Sequence, residues 1–191
     1  MNSILVKRLV IVLVAIPMSL GVGYVLAGID FSVNENVKAK QPAAVSLAMQ
    51  ADIDPEKTYK VTDVIDGDTL KVKIDGKEIT VRMLGIDTPE ILDPRKPIQC
   101  FGEEASSETK KLLENKEVRL ELNPNREKTD KYDRLLAYVY SEDGLFINKY
   151  LLENGFAKEY TFDKSYLYQT EFRSIEKQAK SNLKGLWGKC N

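Results

Sequence analysis

The sequence YKVTDVIDGDTLKVKIDGKEITVRM, residues 59–83, decides the fold of this 191-residue chain. Apolar residues recur there in three successive alternating series, the pattern of strands with one buried face. The series are Tyr59, Val61 and Ile65, then Leu70, Val72 and Ile74, then Ile79, Val81 and Met83. Asp75-Gly76 separates the last two series and indicates a hairpin turn, because glycine accepts a positive φ at little cost. The stretch therefore predicts a three-stranded meander.

The chain after the meander predicts a helix, two strands and two further helices. Helical and then alternating spacing is carried by Ala105, Thr109, Leu112 and Leu113, and by Val118, Leu120 and Leu122. Residues 135–140 predict the fifth strand, and residues 146–154 a short helix stopped by Gly155. The expected buried stripe of the C-terminal helix is Tyr168, Phe172, Ile175, Ala179 and Leu183. This order matches a mainly β fold with added α structure, a five-stranded Greek-key barrel of the OB type with about three packed helices.

The N-terminal segment predicts export. Lys7 and Arg8 precede residues 9–29, a largely apolar run without a charged residue, as in a signal peptide or a single membrane anchor. Cleavage after Ala27 and retention as an anchor both suit residues 1–29. The rest of the chain would be secreted, or anchored to the outer face of the cytoplasmic membrane by this segment.

The segment after residue 29 is expected to be a linker. Residues 30–57 are polar and show no sustained periodicity, which indicates a flexible tether. Residues 43–49 include a short apolar patch for which a transient helix is the alternative. The organised domain is therefore expected at residues 58–191.

Composition limits the chemistry. The sequence contains no histidine, which excludes Ser-His-Asp and Cys-His nucleophile systems and histidine-bound zinc or iron. Catalysis would use carboxylates, Arg, Lys, Tyr or a hard metal ion. Without Lys7 and Arg8, 26 of the 28 basic residues remain against 29 acidic ones. No global positive field therefore indicates an anionic partner, and local charge would have to bind one.

Polar residues gather in three short segments. The first, IDGDT at residues 65–69, places two carboxylates around a glycine, which suits a hard cation but is also an ordinary turn. The second joins Arg82 to Asp87 and Glu90 at a proline-containing strand exit, and this grouping favours a site over isolated surface charges. The third, TDKYDR at residues 129–134, is by itself a solvated charge run.

Together these segments resemble the thermonuclease family of staphylococcal nuclease-like domains, here as an exported bacterial member. The resemblance covers residues 59–187 and includes all three motifs in the family's order. It implies an OB barrel with packed helices and one bound Ca²⁺. It also implies hydrolysis of phosphodiester bonds in RNA and in single- and double-stranded DNA, leaving 5′-hydroxyl and 3′-phosphate ends. No obligate protein partner is inferred.

The resemblance also implies roles for individual residues. The implied metal ligands are Asp68, Asp87 and the main-chain carbonyl of Thr88, the catalytic residues are Arg82, Glu90 and Arg134, and the substrate-binding residues are Lys131, Tyr132 and Tyr160. Glu90 would position or deprotonate the attacking water, and the two arginines would grip the scissile phosphate. Asp66 would orient loop amides or a metal-bound water, and a hydrogen-bonded turn residue is an equal interpretation.

Two positions depart from the family's pattern. Asp133 stands where the family commonly has glycine, so it would constrain the loop or bring a carboxylate near the phosphate. Phe162 stands where the best-known members have a second pocket tyrosine. That change removes a hydroxyl and keeps an aromatic ring for stacking.

The residue types suit phosphodiester hydrolysis on physical grounds. The reaction gathers negative charge on a five-coordinate phosphorus, so a cation and two guanidiniums stabilise the transition state more than the substrate. Glu90 is the natural base in a chain without histidine. Mg²⁺ or Mn²⁺ would bind the same oxygen ligands without giving the correct geometry, so calcium dependence is itself an expectation.

The two cysteines, Cys100 and Cys190, are predicted to form one disulfide. An exported chain meets an oxidising compartment, and two cysteines allow a single intramolecular pairing. Free thiols are the alternative.

A rival function is a non-catalytic OB module that binds nucleic acid or protein. Barrels of this type often bind without chemistry, and the acidic balance of the chain is a point in favour of this rival. The nuclease is favoured because a binding module has no chemical need to keep one whole set of charged residues together. That set is Asp68, Arg82, Asp87, Glu90 and Arg134.

Overall fold

Five strands close into a barrel in the computed structural model, which describes residues 46–91 and 97–190. The elements in chain order are α1 (Leu47–Gln50), β1 (Thr58–Val64), β2 (Thr69–Ile74), β3 (Lys77–Met83), β4 (Ile86–Asp87), α2 (Gly102–Leu113), β5 (Glu117–Leu122), β6 (Leu135–Ser141), α3 (Ile147–Glu153), β7 (Lys158–Glu159), α4 (Gln169–Ser181) and α5 (Leu186–Lys189). The predicted meander is β1 to β3, and the predicted OB-type barrel is confirmed.

The barrel strands follow the order β1-β2-β3-β6-β5, and β5 pairs back onto β1. All pairs are antiparallel except β3 with β6, where Val81 lies opposite Leu135. A parallel pair needs a crossover, and the chain between β3 and β6 supplies it with α2 and β5. The short strands β4 and β7 form a separate antiparallel pair beside the barrel.

A β-bulge corrects the predicted pattern of the first strand. The register of β1 against β2 shifts between Val61 and Asp63. The extra residue reverses the alternation, so Val64 is fully buried and Ile65, which the sequence placed on the core face, is only partly buried. The bulge lies immediately before the turn that carries Asp66 and Asp68.

The three predicted helices are confirmed as α2, α3 and α4. Two single-turn helices, α1 and α5, are additional within the described residues. The predicted stripe of the C-terminal helix is wrong at Leu183, which has a φ of 51° and a side chain that is 68% exposed. Helix α4 has already ended at Ser181, and the left-handed residue terminates the helical path.

The segment before the barrel differs from the expected linker. Ser46 caps α1 by accepting a hydrogen bond from the Met49 N–H at 3.0 Å, and Ala48 and Ala51 are buried in the core. Small alanines in a polar stretch gave too weak an apolar pattern to reveal this packing. The signal peptide or anchor at residues 1–29, and the linker up to residue 45, lie outside the described residues. No helix within the described part is long and apolar enough to cross a membrane.

The predicted disulfide is confirmed. Cys100 is bonded to Cys190, with their Cα atoms 5.9 Å apart. The bond joins the start of α2 to the end of α5, across 90 positions of the sequence.

Candidate active site

One cleft of about 640 Å³ collects the polar residues that the sequence singles out. It lies where the β1–β2 turn, the exit of β3 and the loop before β6 meet. The predicted residues that line it are Asp66, Asp68, Arg82, Asp87, Thr88, Glu90, Lys131, Tyr132, Arg134 and Tyr160. The structure therefore brings all the predicted chemical and substrate-binding residues to one place.

Asp68 fastens the start of β2 to the residue that follows β4. Its side chain is almost completely buried. Oδ2 accepts hydrogen bonds from the N–H of Thr88 at 2.8 Å and from its hydroxyl at 3.1 Å. Oδ1 accepts from the hydroxyl of Thr69 at 3.0 Å and faces Nε of Arg82 at 2.9 Å. These bonds bring Thr88 against Asp68.

Arg82 lies between the two carboxylates of the predicted metal site. Its Nε faces Asp68, and its Nη2 donates to Oδ1 of Asp87 at 2.8 Å. Its Nη1 donates to the carbonyl oxygens of Met83 and Ile86, both at 2.7 Å. The bend from β3 into β4 thus wraps around the guanidinium, which holds Asp87 close to Asp68.

The carboxylates of the cleft repel one another. Burial, with the charge of Asp68 adding to it, raises the pKa of Asp66 to about 6. Burial and the same neighbouring charge raise the pKa of Asp87, while Arg82 opposes the rise. Crowded carboxylates of this kind are stabilised by a cation, and their oxygens suit a hard one.

The oxygen donors of two neighbouring turns are of the type that calcium binds. Asp68, Asp87 and the carbonyl of Thr88 are hard oxygen donors from two neighbouring turns. Within residues 46–91 and 97–190, no three Asp, Glu, Cys or His side chains are grouped closely enough to hold a metal by themselves. Calcium accepts carbonyl and water oxygens beside carboxylates, so a site for it does not need three acidic side chains.

Glu90 is fixed through its main chain. Its N–H donates to Oε1 of Gln99 at 3.0 Å, and its carbonyl oxygen accepts from the N–H of Gln99 at 3.0 Å. Its own Oε1 accepts from the N–H of Ile91 at 2.9 Å. Glu90 therefore lies in the cleft wall with a main chain that a second segment holds.

Arg134 is oriented by Asp130, a residue that sequence reasoning left in a solvated charge run. Nε and Nη2 of Arg134 both face Oδ2 of Asp130, at 2.8 and 2.7 Å. Oδ1 of Asp130 accepts from the N–H groups of Tyr132 and Arg134, at 2.9 and 3.0 Å. The acid and the arginine are four residues apart, and that spacing was the available signal.

Three exposed aromatic rings border the cleft. Tyr132 and Phe162 are about two-thirds exposed, and Tyr160 is 44% exposed. The rings of Tyr160 and Phe162 are 6.5 Å apart, and the guanidinium of Arg134 lies 5.4 Å from the Tyr132 ring centre. Open aromatic faces beside cations suit the stacking of nucleic-acid bases.

Residues 80–189 match the sequence model of a family described as "Staphylococcal nuclease homologue". The chain belongs to this family. It is 43% identical over 132 residues to a thermonuclease of Staphylococcus hyicus, which covers 69% of this chain and 76% of the relative. It is 40% identical over 131 residues to a thermonuclease of Staphylococcus intermedius, with the same coverage. It is 42% identical over 126 residues to the endonuclease YncB of Bacillus subtilis (strain 168), covering 65% of this chain and 59% of the relative.

This staphylococcal nuclease homologue has a second buried arginine in the cleft wall, which sequence reasoning missed. Arg126 forms an ion pair with Asp163 and donates to the carbonyl oxygen of Lys164 at 2.5 Å. Only 10% of its side chain is exposed. The contact fastens the loop after β5 to the loop that carries Phe162. The two partners are 37 positions apart in the sequence, so no local sequence pattern indicated that they pair.

Asp133, at the position where the resemblance leads us to expect glycine, has the backbone conformation that favours glycine. Asp133 has a φ of 65°, and its N–H donates to the carbonyl oxygen of Asp130 at 3.1 Å. Aspartate is among the residues that visit this region at tolerable cost. The loop of this staphylococcal nuclease homologue therefore keeps a left-handed residue directly before Arg134.

Proposed function

We propose that this member of the staphylococcal nuclease family is a Ca²⁺-dependent nuclease that hydrolyses DNA and RNA in this cleft. The main support is the set of charged residues that line the cleft. Two carboxylates, a glutamate and two arginines line a single cleft in a chain whose relatives are named thermonuclease and endonuclease. Products would have 5′-hydroxyl and 3′-phosphate ends.

Asp68, Asp87 and the carbonyl of Thr88 would hold the calcium ion. The crowding of their oxygens and the raised pKa of Asp87 support a cation at this position. When bound, the ion would supply Lewis-acid stabilisation of charge on a phosphate oxygen. Asp66 would orient this cluster through the N–H of Asp68, which donates to its Oδ1 at 3.0 Å.

Glu90 would take a proton from the attacking water. The water oxygen bonds to phosphorus as the bond to the 5′-oxygen breaks, and the leaving oxygen takes up a proton from solvent. Arg134 would stabilise the growing charge with the guanidinium edge that Asp130 does not use. Arg82 would exchange its contacts with Asp68 and Asp87 for phosphate oxygens.

The substrate would lie along the exposed rings. Tyr132 and Tyr160 would contact bases or sugars, Phe162 would add a stacking face, and Lys131 would contact a phosphate. The Lys131 ammonium lies 4.9 Å from the Tyr132 ring centre, so charge and stacking surface are adjacent. Stacking is tolerant of sequence, which suits single-stranded DNA, duplex DNA and RNA as substrates.

The domain would act outside the cytoplasm. Residues 1–29 would be a signal peptide or a membrane anchor, as their basic start and apolar run indicate. The Cys100–Cys190 disulfide supports an oxidising destination.

Site variants test the proposal. We would compare initial cleavage rates of quenched single-stranded DNA by the purified chain with Ca²⁺ for Arg82→Ala, Glu90→Gln and Arg134→Ala. The control is Lys177→Ala, an exposed residue on α4. Each site variant is expected to be slower by about two to three orders of magnitude, and the control is expected to match the wild type. Site variants as fast as the control would overturn the proposal.

If the protein is instead a non-catalytic binding module, a different result is expected from the same samples. It would bind the DNA without cleaving it, whether calcium is present or not. Binding without turnover in the wild type would select that function.

A further inference from the structure

The segment that carries Glu90 is held by Gln99. Oε1 of Gln99 accepts from the Glu90 N–H, and the Gln99 N–H donates to the Glu90 carbonyl oxygen, both at 3.0 Å. One residue therefore restrains both polar groups of the Glu90 main chain. The Glu90 carboxylate extends from that main chain, and its Oε1 accepts from the Ile91 N–H at 2.9 Å.

Little burial holds Gln99 itself. Residues 97–100 are all exposed, and the Ile98 side chain is 57% exposed. Hydrogen bonds at exposed positions exchange with water and contribute little net stability. A further restraint on this exposed segment would help to keep the two bonds to Glu90 in place.

The disulfide supplies that restraint. It bonds Cys100, the residue after Gln99, to Cys190 at the end of α5. Helix α5 is anchored, because Leu186 is buried and donates its N–H to the carbonyl oxygen of Gly155 at 2.9 Å. Cys100 is thereby tied to the helical side of the molecule.

Helix α2 begins directly against the same segment. The Gly102 N–H donates to the carbonyl oxygen of Gln99 at 3.0 Å. A Cβ on Gly102 would lie 2.5 Å from Cγ2 of Ile91 and 3.1 Å from the carbonyl oxygen of Pro89. The start of α2 is therefore packed closely against the residues on both sides of Glu90.

We infer that Gln99 is a positioning residue for Glu90 and that the Cys100–Cys190 disulfide couples the redox state of the chain to its turnover. The inference rests on the proposed function, in which Glu90 is the base. The two thiols form the S–S bond by giving two protons and two electrons to a thiol–disulfide oxidant. The reduced chain is then a slow nuclease, and oxidation brings it to its full rate.

The test separates positioning from stability. We would measure kcat and KM on single-stranded DNA at saturating Ca²⁺ for the full chain, oxidised and after reduction by a phosphine. The same constants would be measured for Cys100→Ser with Cys190→Ser, for Gln99→Ala and for Gln99→Glu. Ile98→Ala is the matched control, because its side chain is exposed on the same segment. Circular dichroism would establish that each sample is folded.

Loss of either restraint is expected to lower kcat about tenfold and to leave KM within about twofold. Gln99→Glu is expected to restore the rate, because its carboxylate oxygen still accepts the Glu90 N–H. Reduction of Gln99→Ala is expected to cause no further fall, since both changes act through one linkage. The control is expected to keep the wild-type constants.

Other outcomes would overturn the inference. A reduced chain with unchanged kcat and only a lower melting temperature would make the disulfide merely structural. If reduction unfolds the chain, the oxidised Gln99→Ala variant provides the test, because it keeps its disulfide. A kcat equal to that of the oxidised wild type would then contradict the inference. Failure of the proposed function is distinguishable, because oxidised wild type would then lack calcium-dependent turnover or Glu90→Gln would be as fast as wild type.

Discussion

The orientation of a charged side chain in this cleft is set by the ion pairs and hydrogen bonds that it forms. Arg134 has a flexible stem and begins from a loop, yet Asp130 fixes two of its nitrogens and two main-chain groups of the same loop. An arginine held in this way loses less conformational freedom when it meets a phosphate. In the proposed mechanism, the cleavage rate therefore depends on Asp130, an acid that need not touch the substrate.

Asp130→Asn tests this dependence. The amide keeps an oxygen for the main-chain bonds but loses the charge that attracts the guanidinium, so kcat on single-stranded DNA is expected to fall about tenfold. Steady-state kinetics would measure it beside Asp143→Asn, an aspartate at a distant turn whose partner is Ser141. Equal kcat for the two variants would show that Arg134 needs no such partner.

The positions of some cleft residues could be predicted from the sequence, and those of others could not. Asp68, Arg82 and Asp87 could be predicted to lie together, because they belong to short motifs that resemble those of the family and that adjacent strands bring to one cleft. Arg126 could not, because its partner Asp163 is distant in sequence and neither residue follows a spacing rule. Asp130 lies in a predicted charge run, but its pairing with Arg134 was not predicted, since a four-residue spacing outside a helix does not establish that two charges pair.

At the scale of elements, two glycines join α3 to α5. Gly155 has a φ of 69°, and a Cβ placed on it would lie 2.2 Å from the carbonyl oxygen of Lys184. A Cβ placed on Gly185 would lie 2.3 Å from the carbonyl oxygen of Gly155. This contact supports the end of the chain that carries Cys190.

Gly155→Ala is therefore expected to destabilise the fold more than an alanine at an open glycine. Gly144 has a φ of 87° with nothing within 4 Å of a Cβ, so Gly144→Ala incurs only the left-handed backbone cost of about 1 kcal/mol. Gly155→Ala adds a clash with main chain and is expected to lose about 3 kcal/mol in all. Urea unfolding of both variants measures the difference, and equal losses would contradict the close contact.

Most helices and strands could be predicted, because each combines a regular spacing of apolar residues with a turn or glycine signal at its end. The bulge in β1 could not, since a bulge depends on how two strands pair rather than on one strand's pattern. Helix α1 overlaps the helix that was the alternative at residues 43–49, and a linker was preferred there for a related reason. Ala48 and Ala51 become buried only because the barrel offers a surface for them, which the local sequence does not reveal.

At the scale of the whole molecule, the acidic cleft links stability to pH. The pKa of Asp66 is raised to about 6, mainly by burial, so without metal the folded chain binds more protons there than the unfolded chain. This contribution is complete below the ordinary aspartate pKa and is lost as pH rises through about 6. Asp87 shifts in the same direction.

Chelated protein is therefore expected to lose unfolding free energy between about pH 5 and pH 7, relative to Asp66→Asn, which lacks this titration. Calcium is expected to raise the melting temperature more at the upper pH, because a cation compensates the negative charge that deprotonation leaves on the partly buried carboxylates. Urea unfolding and thermal scans at both pH values measure this. A calcium effect independent of pH would contradict a site built from these carboxylates.

Calcium-dependent turnover by the wild-type chain is the most direct measurement of whether this cleft is an active site. Initial rates would be recorded on quenched single-stranded DNA with saturating Ca²⁺, after chelation and after calcium is restored, with 5′-end analysis of the products. The proposed mechanism predicts rapid cleavage that disappears on chelation, returns with calcium and leaves 5′-hydroxyl ends. Cleavage that persists in chelator, or a folded chain that binds DNA without cutting it, would contradict it.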